Sequence, residues 1–155
     1  MLTPFTSDGR VNEPVVRRMV EFMIERGVDG IFPISTVGEF VHMELDQRYE
    51  LLDIVLDQAR GRVRVTPGIG ATCTRSSIEQ AKYAARAGAD AVVLPGPYYY
   101  LNPEDVVRKH CEAVASASDI PVILYNIPFF ANEISPQMVL KLFGVSNIVG
   151  IKDSS

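Results

Sequence analysis

The feature that most constrains the fold is a repeating order of short apolar runs and helical stretches. The apolar runs are continuous rather than alternating, which is typical of parallel strands that are covered on both faces. Successive runs are about 30 residues apart, the size of one βα unit. The sequence therefore predicts an α/β fold with a parallel sheet. The predicted strands are Gly30–Ile34, Arg62–Pro67, Ala91–Pro95, Pro121–Tyr125 and Asn147–Lys152.

The helical stretches between these runs carry start and stop signals. Asn12, Asn102 and Ser135 are predicted N-caps, and Gly61 is a predicted stop after the second helix. A helix end, a glycine and an apolar strand follow one another twice, which indicates the αβ junction of a βαβ fold. The predicted helices are Glu13–Arg26, Leu45–Arg60, Ser76–Ala87, one that begins with Pro103 and one that begins with Pro136.

Repeated βα units allow an open doubly wound sheet or a closed eight-stranded barrel. A dinucleotide fingerprint is only half matched, because Gly68 and Gly70 are followed by Cys73 where a third glycine belongs. No glycine-rich lysine loop for nucleotide phosphates is present. In a barrel, catalytic groups project from the carboxyl ends of the strands, so any catalytic residues are expected at those positions.

Charge and composition exclude several classes of partner. The formal net charge is −4 without a run of like charges, which argues against a nucleic-acid or membrane-surface partner. No apolar stretch reaches the roughly 18 residues of a membrane helix, and the first residues lack the pattern of a signal peptide. Cys73 and Cys111 show neither metal-ligand spacing nor a disulfide framework. A cytoplasmic location is the expectation.

Lys152 is the most unusual residue at a predicted strand end. The preceding residues indicate a buried strand, and the other three lysines of the chain fall on predicted helices. A lysine that is partly desolvated at a barrel mouth binds its proton less tightly, and its neutral amine can attack a ketone to form a Schiff base. The alternative is a lysine at a strand end that simply reaches water.

Other strand ends offer a proton carrier and an anion site. Tyr125 can shuttle protons, although a core tyrosine with a satisfied hydroxyl is the alternative. The turn Thr36–Gly38 can offer a hydroxyl and backbone N–H groups to an anion, or serve only as a helix-capping turn. The run Tyr98–Tyr100 is more typical of packing or of an interface.

Six motifs that follow one another along the chain carry a resemblance to a known family. The chain resembles the dihydrodipicolinate synthase / N-acetylneuraminate lyase family throughout its length. This resemblance implies a partial TIM (β/α)8 barrel of about strands 1–6 of 8, forming one truncated domain over residues 1–155. The matching motifs are Thr3-Pro4-Phe5 with Asp8-Gly9, Ser35–Phe40, Gly88–Ala91, Pro97–Tyr99, Tyr125–Pro128 and Gly150–Ser155.

The resemblance also implies a function and roles for individual residues. It implies a class I aldolase or lyase that uses or releases pyruvate, without a metal or organic cofactor, in a homo-oligomer that is usually a tetramer. Lys152 would form the imine and Tyr125 would relay protons. Thr36 would connect Tyr125 to Tyr99, which typically reaches into a neighbouring subunit. The turn of Thr36, Val37 and Gly38 would hold the pyruvate carboxylate.

The chain departs from the family pattern at two places. Ser35 replaces a glycine in the turn, and Val37 replaces a hydroxyl residue. At the position where dihydrodipicolinate synthases carry an arginine for the second substrate's carboxylate, this chain has Phe130, and an apolar ring cannot pair with a carboxylate. We therefore expect a 2-keto-3-deoxy sugar-acid aldolase-like enzyme, with 4-hydroxy-tetrahydrodipicolinate (dihydrodipicolinate) synthase as the alternative.

The length leads to a further expectation and to two other hypotheses. The chain ends shortly after Lys152, so we expect a fragment or a truncated gene product. Whether this chain is active by itself is left open. A catalytically inactive paralogue that binds a complete barrel is one other hypothesis. A barrel that binds phosphates or nucleotides is the other, and it requires a glycine-rich loop after strands seven and eight.

Overall fold

A computed structural model describes all residues, 1–155. Five helices and five strands alternate along the chain, and their contacts divide it into two compact units. The strands are β1 (Gly30–Ile31), β2 (Arg64–Val65), β3 (Val92–Pro95), β4 (Val122–Asn126) and β5 (Ile148–Asp153). The helices are α1 (Glu13–Glu25), α2 (Leu45–Ala59), α3 (Thr74–Ala87), α4 (Glu104–Ser116) and α5 (Pro136–Leu142).

The first unit comprises Met1–Gly68 together with Ala87–Asp90. Helices α1 and α2 pack against each other through fully buried aliphatic side chains, and β1 pairs with β2 in parallel. The later segment completes this unit, because Asp90 Oδ2 accepts a hydrogen bond of 2.8 Å from Val65 N. In return, Asp90 N donates to Val65 O at 3.0 Å. A residue from beyond α3 therefore satisfies the outer side of β2.

Strands β1 and β2 are shorter than the sequence predicts. Each contains two residues, whereas the apolar runs extend over Gly30–Ile34 and Arg62–Pro67. Pro33 and Pro67 lack an N–H, so the ladder cannot be continued through them. The two segments nevertheless remain adjacent beyond the strands, because Gly68 N donates to Pro33 O at 3.0 Å.

The second unit comprises Ile69–Arg86 together with Ala91–Ser155. Its parallel sheet has the order β3-β4-β5, with helices α3, α4 and α5 in the same unit. Strand β3 is buried throughout and β4 nearly so, which confirms the prediction from their continuous apolar runs.

Strand β5 is not the buried strand that its sequence predicts. It has β4 as its neighbour on one side, and its residues are exposed from Val149 onward, including Ile151 at 42%. An edge strand lacks cover on one side, so an apolar sequence alone cannot bury it. An apolar groove lies beside this strand and is lined by Leu124, Val139, Phe143, Ile148, Val149, Gly150 and Ile151.

Two of the three predicted helix caps are confirmed. The side chains of Asn12 and Ser135 accept hydrogen bonds from the backbone N–H groups of Val15 and Met138. The prediction that Asn102 caps α4 is wrong, because Pro103 occupies the N-cap position. The Asn102 side chain instead donates to Tyr100 O at 2.9 Å, so it is engaged in the preceding loop.

The architecture confirms the α/β class with parallel strands. The strands form a two-stranded and a three-stranded sheet, and neither sheet closes into a barrel. Cys73 is exposed and Cys111 is buried, and both are free thiols. None of the helices has the length and apolar character that crossing a bilayer requires.

Buried His110 is expected to make the stability of the chain depend on pH. Its Nδ1 lies 3.0 Å from Thr74 Oγ1, while Nε2 has no partner in the protein. Burial lowers the pKa of His110 to about 4. Between pH 6.5 and pH 4, the His110 side chain therefore binds a proton in the unfolded chain, where its pKa is about 6.5, but not in the folded chain. We expect the free energy of unfolding to fall by up to about 3 kcal/mol between pH 6.5 and 4.

Urea unfolding at pH 7 and at pH 4.5 measures this effect. His110→Gln is expected to remove most of the additional acid sensitivity, because glutamine does not titrate. His42→Gln is the matched control, since His42 is exposed in a short 3₁₀ turn beside Glu39. An equal loss of stability in the parent chain and in His110→Gln would contradict the prediction.

Candidate functional site

Lys152 and Tyr125 meet on neighbouring strands of the second unit. They occupy the same register position of the β4–β5 ladder. Lys152 Nζ lies 4.0 Å from the centroid of the Tyr125 ring. The tyrosine is 8% exposed, which fixes its ring, and it ends the apolar part of β4. The two residues for which the sequence predicts imine formation and proton relay are therefore in direct contact.

Lys152 itself is exposed, which differs from the predicted desolvation. Within residues 1–155, β5 has a neighbouring strand on one side, so the end of the strand is open to water. Its ammonium donates to Ser154 Oγ at 2.5 Å. The contact with Tyr125 and this hydrogen bond hold a long side chain that otherwise has many rotamers.

Asn126 and Asp153 form a second pair, which the sequence analysis missed. Asn126 is 6% exposed, and its Nδ2 donates to Asp153 Oδ1 at 2.8 Å. Its Oδ1 accepts from Ile134 N at 3.0 Å, and its backbone carbonyl accepts from Ser154 N at 2.9 Å. Hydrogen bonding to Asn126 holds the pKa of the Asp153 carboxyl below its usual range. Both residues stand inside motifs that the sequence analysis singled out, directly after Tyr125 and Lys152.

Tyr99 lies in the loop between β3 and α4, and its ring is 83% exposed. Its φ is 85°, a left-handed conformation that is uncommon for a bulky residue. The ring packs edge-to-face against Tyr100, with the centroids 4.8 Å apart. Phe130, in the loop between β4 and α5, is 64% exposed and lies against Phe129. The second unit therefore presents exposed aromatic rings from two loops that follow neighbouring strands.

Buried Asn132 joins these two loops. Its Nδ2 donates to Pro97 O at 2.5 Å and to Tyr100 O at 2.7 Å, and its Oδ1 accepts from Asn102 N at 2.7 Å. Three backbone groups of the Tyr99 loop are thus satisfied by one side chain. Such hydrogen bonds each contribute about 1 kcal/mol, and together they stabilise the unusual backbone at Tyr99.

The turn of Thr36, Val37 and Gly38 lies in the first unit and forms a 3₁₀ turn after β1. The N–H groups of Thr36 and Val37 make no backbone hydrogen bond, whereas Gly38 N donates to Ser35 O at 2.9 Å. The turn therefore offers two adjacent backbone donors beside the Thr36 hydroxyl. Val37 is 64% exposed, and its side chain adds no polar group.

Strained backbone precedes this turn. Ile34 has a φ of 55°, which is a genuine outlier for a β-branched residue. Gly68 makes it possible, because a Cβ at position 68 would lie 2.1 Å from Ile34 O. Strain of this kind costs about 1–3 kcal/mol and is held by the surrounding structure. The backbone conformation that leads into the turn of Thr36 therefore depends on Gly68, which follows β2.

The predicted site residues are distributed over both units. Lys152 and Tyr125 are brought together, and the ring of Tyr99 packs against the ring of Tyr100. Thr36, Val37 and Gly38 belong to the first unit. The other lysines, Lys82, Lys109 and Lys141, lie on helices α3, α4 and α5 as the sequence predicts.

Comparisons with known proteins agree with these motifs over the whole chain. The model of the family described as "Dihydrodipicolinate synthetase family" matches residues 1–155. A 4-hydroxy-tetrahydrodipicolinate synthase of Pelobacter propionicus is 40% identical over 156 residues, covering 100% of this chain and 53% of the relative. The chain therefore spans about half the length of the curated relatives it matches.

Solved structures agree in fold. A dihydrodipicolinate synthase from Acinetobacter baumannii, complexed with pyruvate, superposes with a TM-score of 0.97 at 33% identity, over 100% of this chain and 54% of that chain. YagE of E. coli K12, a prophage protein of the dihydrodipicolinic acid synthase family that was also solved with pyruvate, gives 0.94 at 36% identity. The match covers 98% of this chain and 52% of YagE.

Proposed function

Because the chain belongs to the dihydrodipicolinate synthetase family, we propose that it supplies the imine-forming part of a pyruvate-dependent class I aldolase or lyase, a carbon–carbon lyase. The observation that carries this proposal is the contact between Lys152 Nζ and the Tyr125 ring at 4.0 Å. Schiff-base chemistry requires an amine and a proton carrier within reach of each other. Pyruvate is the ligand named for two solved relatives.

The proposed reaction uses side chains alone, without a metal or organic cofactor. The neutral amine of Lys152 attacks the keto carbon of pyruvate, and loss of water leaves a protonated imine. The imine withdraws electrons, so the methyl carbon loses a proton and becomes an enamine nucleophile that adds to an aldehyde carbon. Water then hydrolyses the product imine and restores the amine. Tyr125 moves protons in these steps, with Thr36 and Tyr99 as its proposed partners in a relay.

We propose that the turn in the first unit holds the pyruvate carboxylate. The N–H groups of Thr36 and Val37 and the Thr36 hydroxyl are its donors, since these N–H groups make no backbone hydrogen bond. Gly38 contributes space rather than a donor. A Cβ at position 38 would lie 2.9 Å from Met1 O, so a larger residue would displace the turn.

For the second substrate, the names of the relatives favour the alternative over the main expectation. Several relatives at 34–40% identity are named 4-hydroxy-tetrahydrodipicolinate synthase, which supports that reaction ahead of sugar-acid aldolase chemistry. We therefore propose condensation of imine-bound pyruvate with a short aldehyde that carries a carboxylate.

One observation keeps the sugar-acid aldolase as a second candidate. Phe130 is exposed at the loop after β4 and has no charge to offer a carboxylate. A neutral, hydroxylated aldehyde suits an apolar ring better than an anion does. Measuring pyruvate consumption with aspartate semialdehyde and, separately, with glyceraldehyde distinguishes the candidates, because each predicts faster turnover with a different aldehyde.

Fold and assembly follow the same family pattern in our proposal. Residues 1–155 are proposed to form one domain that contributes about strands 1–6 of an eight-stranded TIM barrel. A homo-oligomer, a tetramer in the full-length family, is proposed as the working assembly. The exposure of Tyr99 and of Leu101, at 83% and 95%, supports a partner subunit at this loop.

Reductive trapping tests the proposed function. The chain is incubated with pyruvate, reduced with borohydride, and analysed by intact and peptide mass spectrometry. We expect one adduct, on the peptide that contains Lys152. The peptides that contain Lys82, Lys109 and Lys141 are internal controls. These three lysines lie on helices, and no proton-relay role is proposed for any residue beside them.

The possible outcomes separate the hypotheses. An adduct on Lys152 supports the imine mechanism and leaves the aldehyde to be identified. A folded chain, verified by circular dichroism, without any adduct would refute the proposal and favour a non-catalytic paralogue that binds a complete barrel. Adducts spread evenly over all four lysines would indicate non-specific amine chemistry.

A further inference from the structure

We infer that Asn126 and Asp153 are positioning residues that hold Lys152 over Tyr125, from the opposite face of the β4–β5 ladder. The inference rests on the proposed function for its catalytic meaning. Successive side chains of a strand point to opposite faces. Tyr125 and Lys152 therefore share one face at one register position, and Asn126 and Asp153 share the other face at the next.

The register of β5 contains one irregularity. Val122 pairs with Ile148 and Ile123 pairs with Gly150, so one extra residue interrupts the ladder near its start. A shift of one residue in the pairing would turn every side chain of the strand to the other face. From Ile123 and Gly150 onward the pairing is regular, so a contact at one register position fixes which residue of β5 faces Tyr125.

The Asn126–Asp153 pair supplies that specification through polar contacts. The 2.8 Å hydrogen bond from Asn126 Nδ2 reaches the residue next to Lys152, and the Asn126 carbonyl binds Ser154 N on the other side of Asp153. Asn126 is itself fixed, since it is buried and also accepts from Ile134 N. A buried anchor thus binds the exposed end of β5 twice, directly after the imine-forming lysine.

The acceptor on Asp153 is oriented as well. Its Oδ1 accepts from Ser155 N at 3.2 Å in addition to Asn126. The Asp153 side chain, held by both hydrogen bonds, therefore fixes the backbone next to Lys152. A displacement of about 1 Å between reacting groups costs up to about 100-fold in rate. The pair acts on Lys152 through the backbone and does not touch the substrate.

Two variants at the exposed position test the inference with little risk to folding. Asp153→Ala removes the acceptor, whereas Asp153→Asn keeps an oxygen for the Asn126 amide. The first readout is the NMR cross-peak between the Lys152 side chain and the Tyr125 ring, which does not depend on activity. We expect it to be lost in Asp153→Ala and kept in Asp153→Asn. The rate of pyruvate imine formation is expected to fall about tenfold in the first variant and less than about twofold in the second.

Exchange of the pair provides a rescue. Asn126→Asp alone sets two carboxylates opposite each other and is expected to lose both readouts. Combining it with Asp153→Asn restores one amide–carboxylate hydrogen bond and leaves an oxygen for Ile134 N. The double variant should recover the cross-peak and at least about half of the parent imine rate, because the donor and acceptor have only exchanged strands.

Each result decides one of the two proposals. Asp153→Ala with the cross-peak and the imine rate of the parent chain would overturn the positioning role. A parent chain that shows the cross-peak but forms no imine would contradict the proposed function, and the cross-peak comparison would then decide the positioning role by itself. A double variant no better than Asn126→Asp would also overturn the pair.

Discussion

Replacing Lys152 by arginine is expected to lower pyruvate turnover by about 10,000-fold or more, since Lys152 is the proposed covalent nucleophile and its loss would remove the reaction path itself. Arginine keeps the positive charge and much of the length of lysine. Its guanidinium stays protonated in proteins, so it cannot attack the keto carbon. The measurement is the initial rate of aldehyde-dependent pyruvate consumption, together with the intact mass after borohydride treatment.

Lys141→Arg is the matched control for this experiment. Lys141 lies on α5 and pairs with Glu104 at 3.0 Å on the surface, an arrangement that arginine can reproduce. We expect its turnover to stay within about twofold of the parent value. Turnover of Lys152→Arg above about one hundredth of the parent rate would contradict the assignment of Lys152 as the nucleophile.

Replacing Gly68 by alanine is expected to reduce the free energy of unfolding by about 3–5 kcal/mol. A Cβ at this position would lie 2.1 Å from Ile34 O and 3.3 Å from Phe32 Cε2. The nearest atom belongs to the backbone, so it cannot move aside as a flexible side chain can. Relief requires a shift of the strained segment at Ile34, which carries the turn of Thr36. Urea unfolding followed by circular dichroism measures the change.

Gly144→Ala is the control for the glycine variant. A Cβ at position 144 would meet no atom within 4 Å, and the backbone there is not left-handed. The same change in chemistry should therefore alter the free energy of unfolding by less than about 1 kcal/mol. Equal destabilisation in both variants would show that the close approach at Gly68 is not the cause.

The order of elements was predictable from the sequence because it depends on local patterns. Continuous apolar runs identified β3 and β4, and the caps at Asn12 and Ser135 were confirmed. The lengths of β1 and β2 were overestimated, since apolar character continues through Pro33 although the ladder does not. Burial of β5 was predicted wrongly, because apolar composition does not tell which strand lies at an edge.

The candidate site was predictable only as far as motifs name residues. The neighbourhood of Lys152 and Tyr125 follows from two strands that end at the same edge of a parallel sheet. The pair formed by Asn126 and Asp153 was missed, because its hydrogen bond depends on register, and the extra residue in β5 shifts that register. The role of Asn132 was missed as well, since it joins loops that are 35 residues apart.

The contribution of Asp90 to the first unit has a consequence for biosynthesis. The N–H and carbonyl of Val65 obtain their partners from a residue that leaves the ribosome only after all of α3 has been made. Until then the outer side of β2 presents unpaired backbone groups, which are open to pairing with other chains. We therefore expect nascent chains that are stalled before Asp90 to be sensitive to protease, and chains stalled well beyond it to be protected in residues 1–68. We expect slower translation of α3 to prolong the time during which residues 1–68 are sensitive to protease.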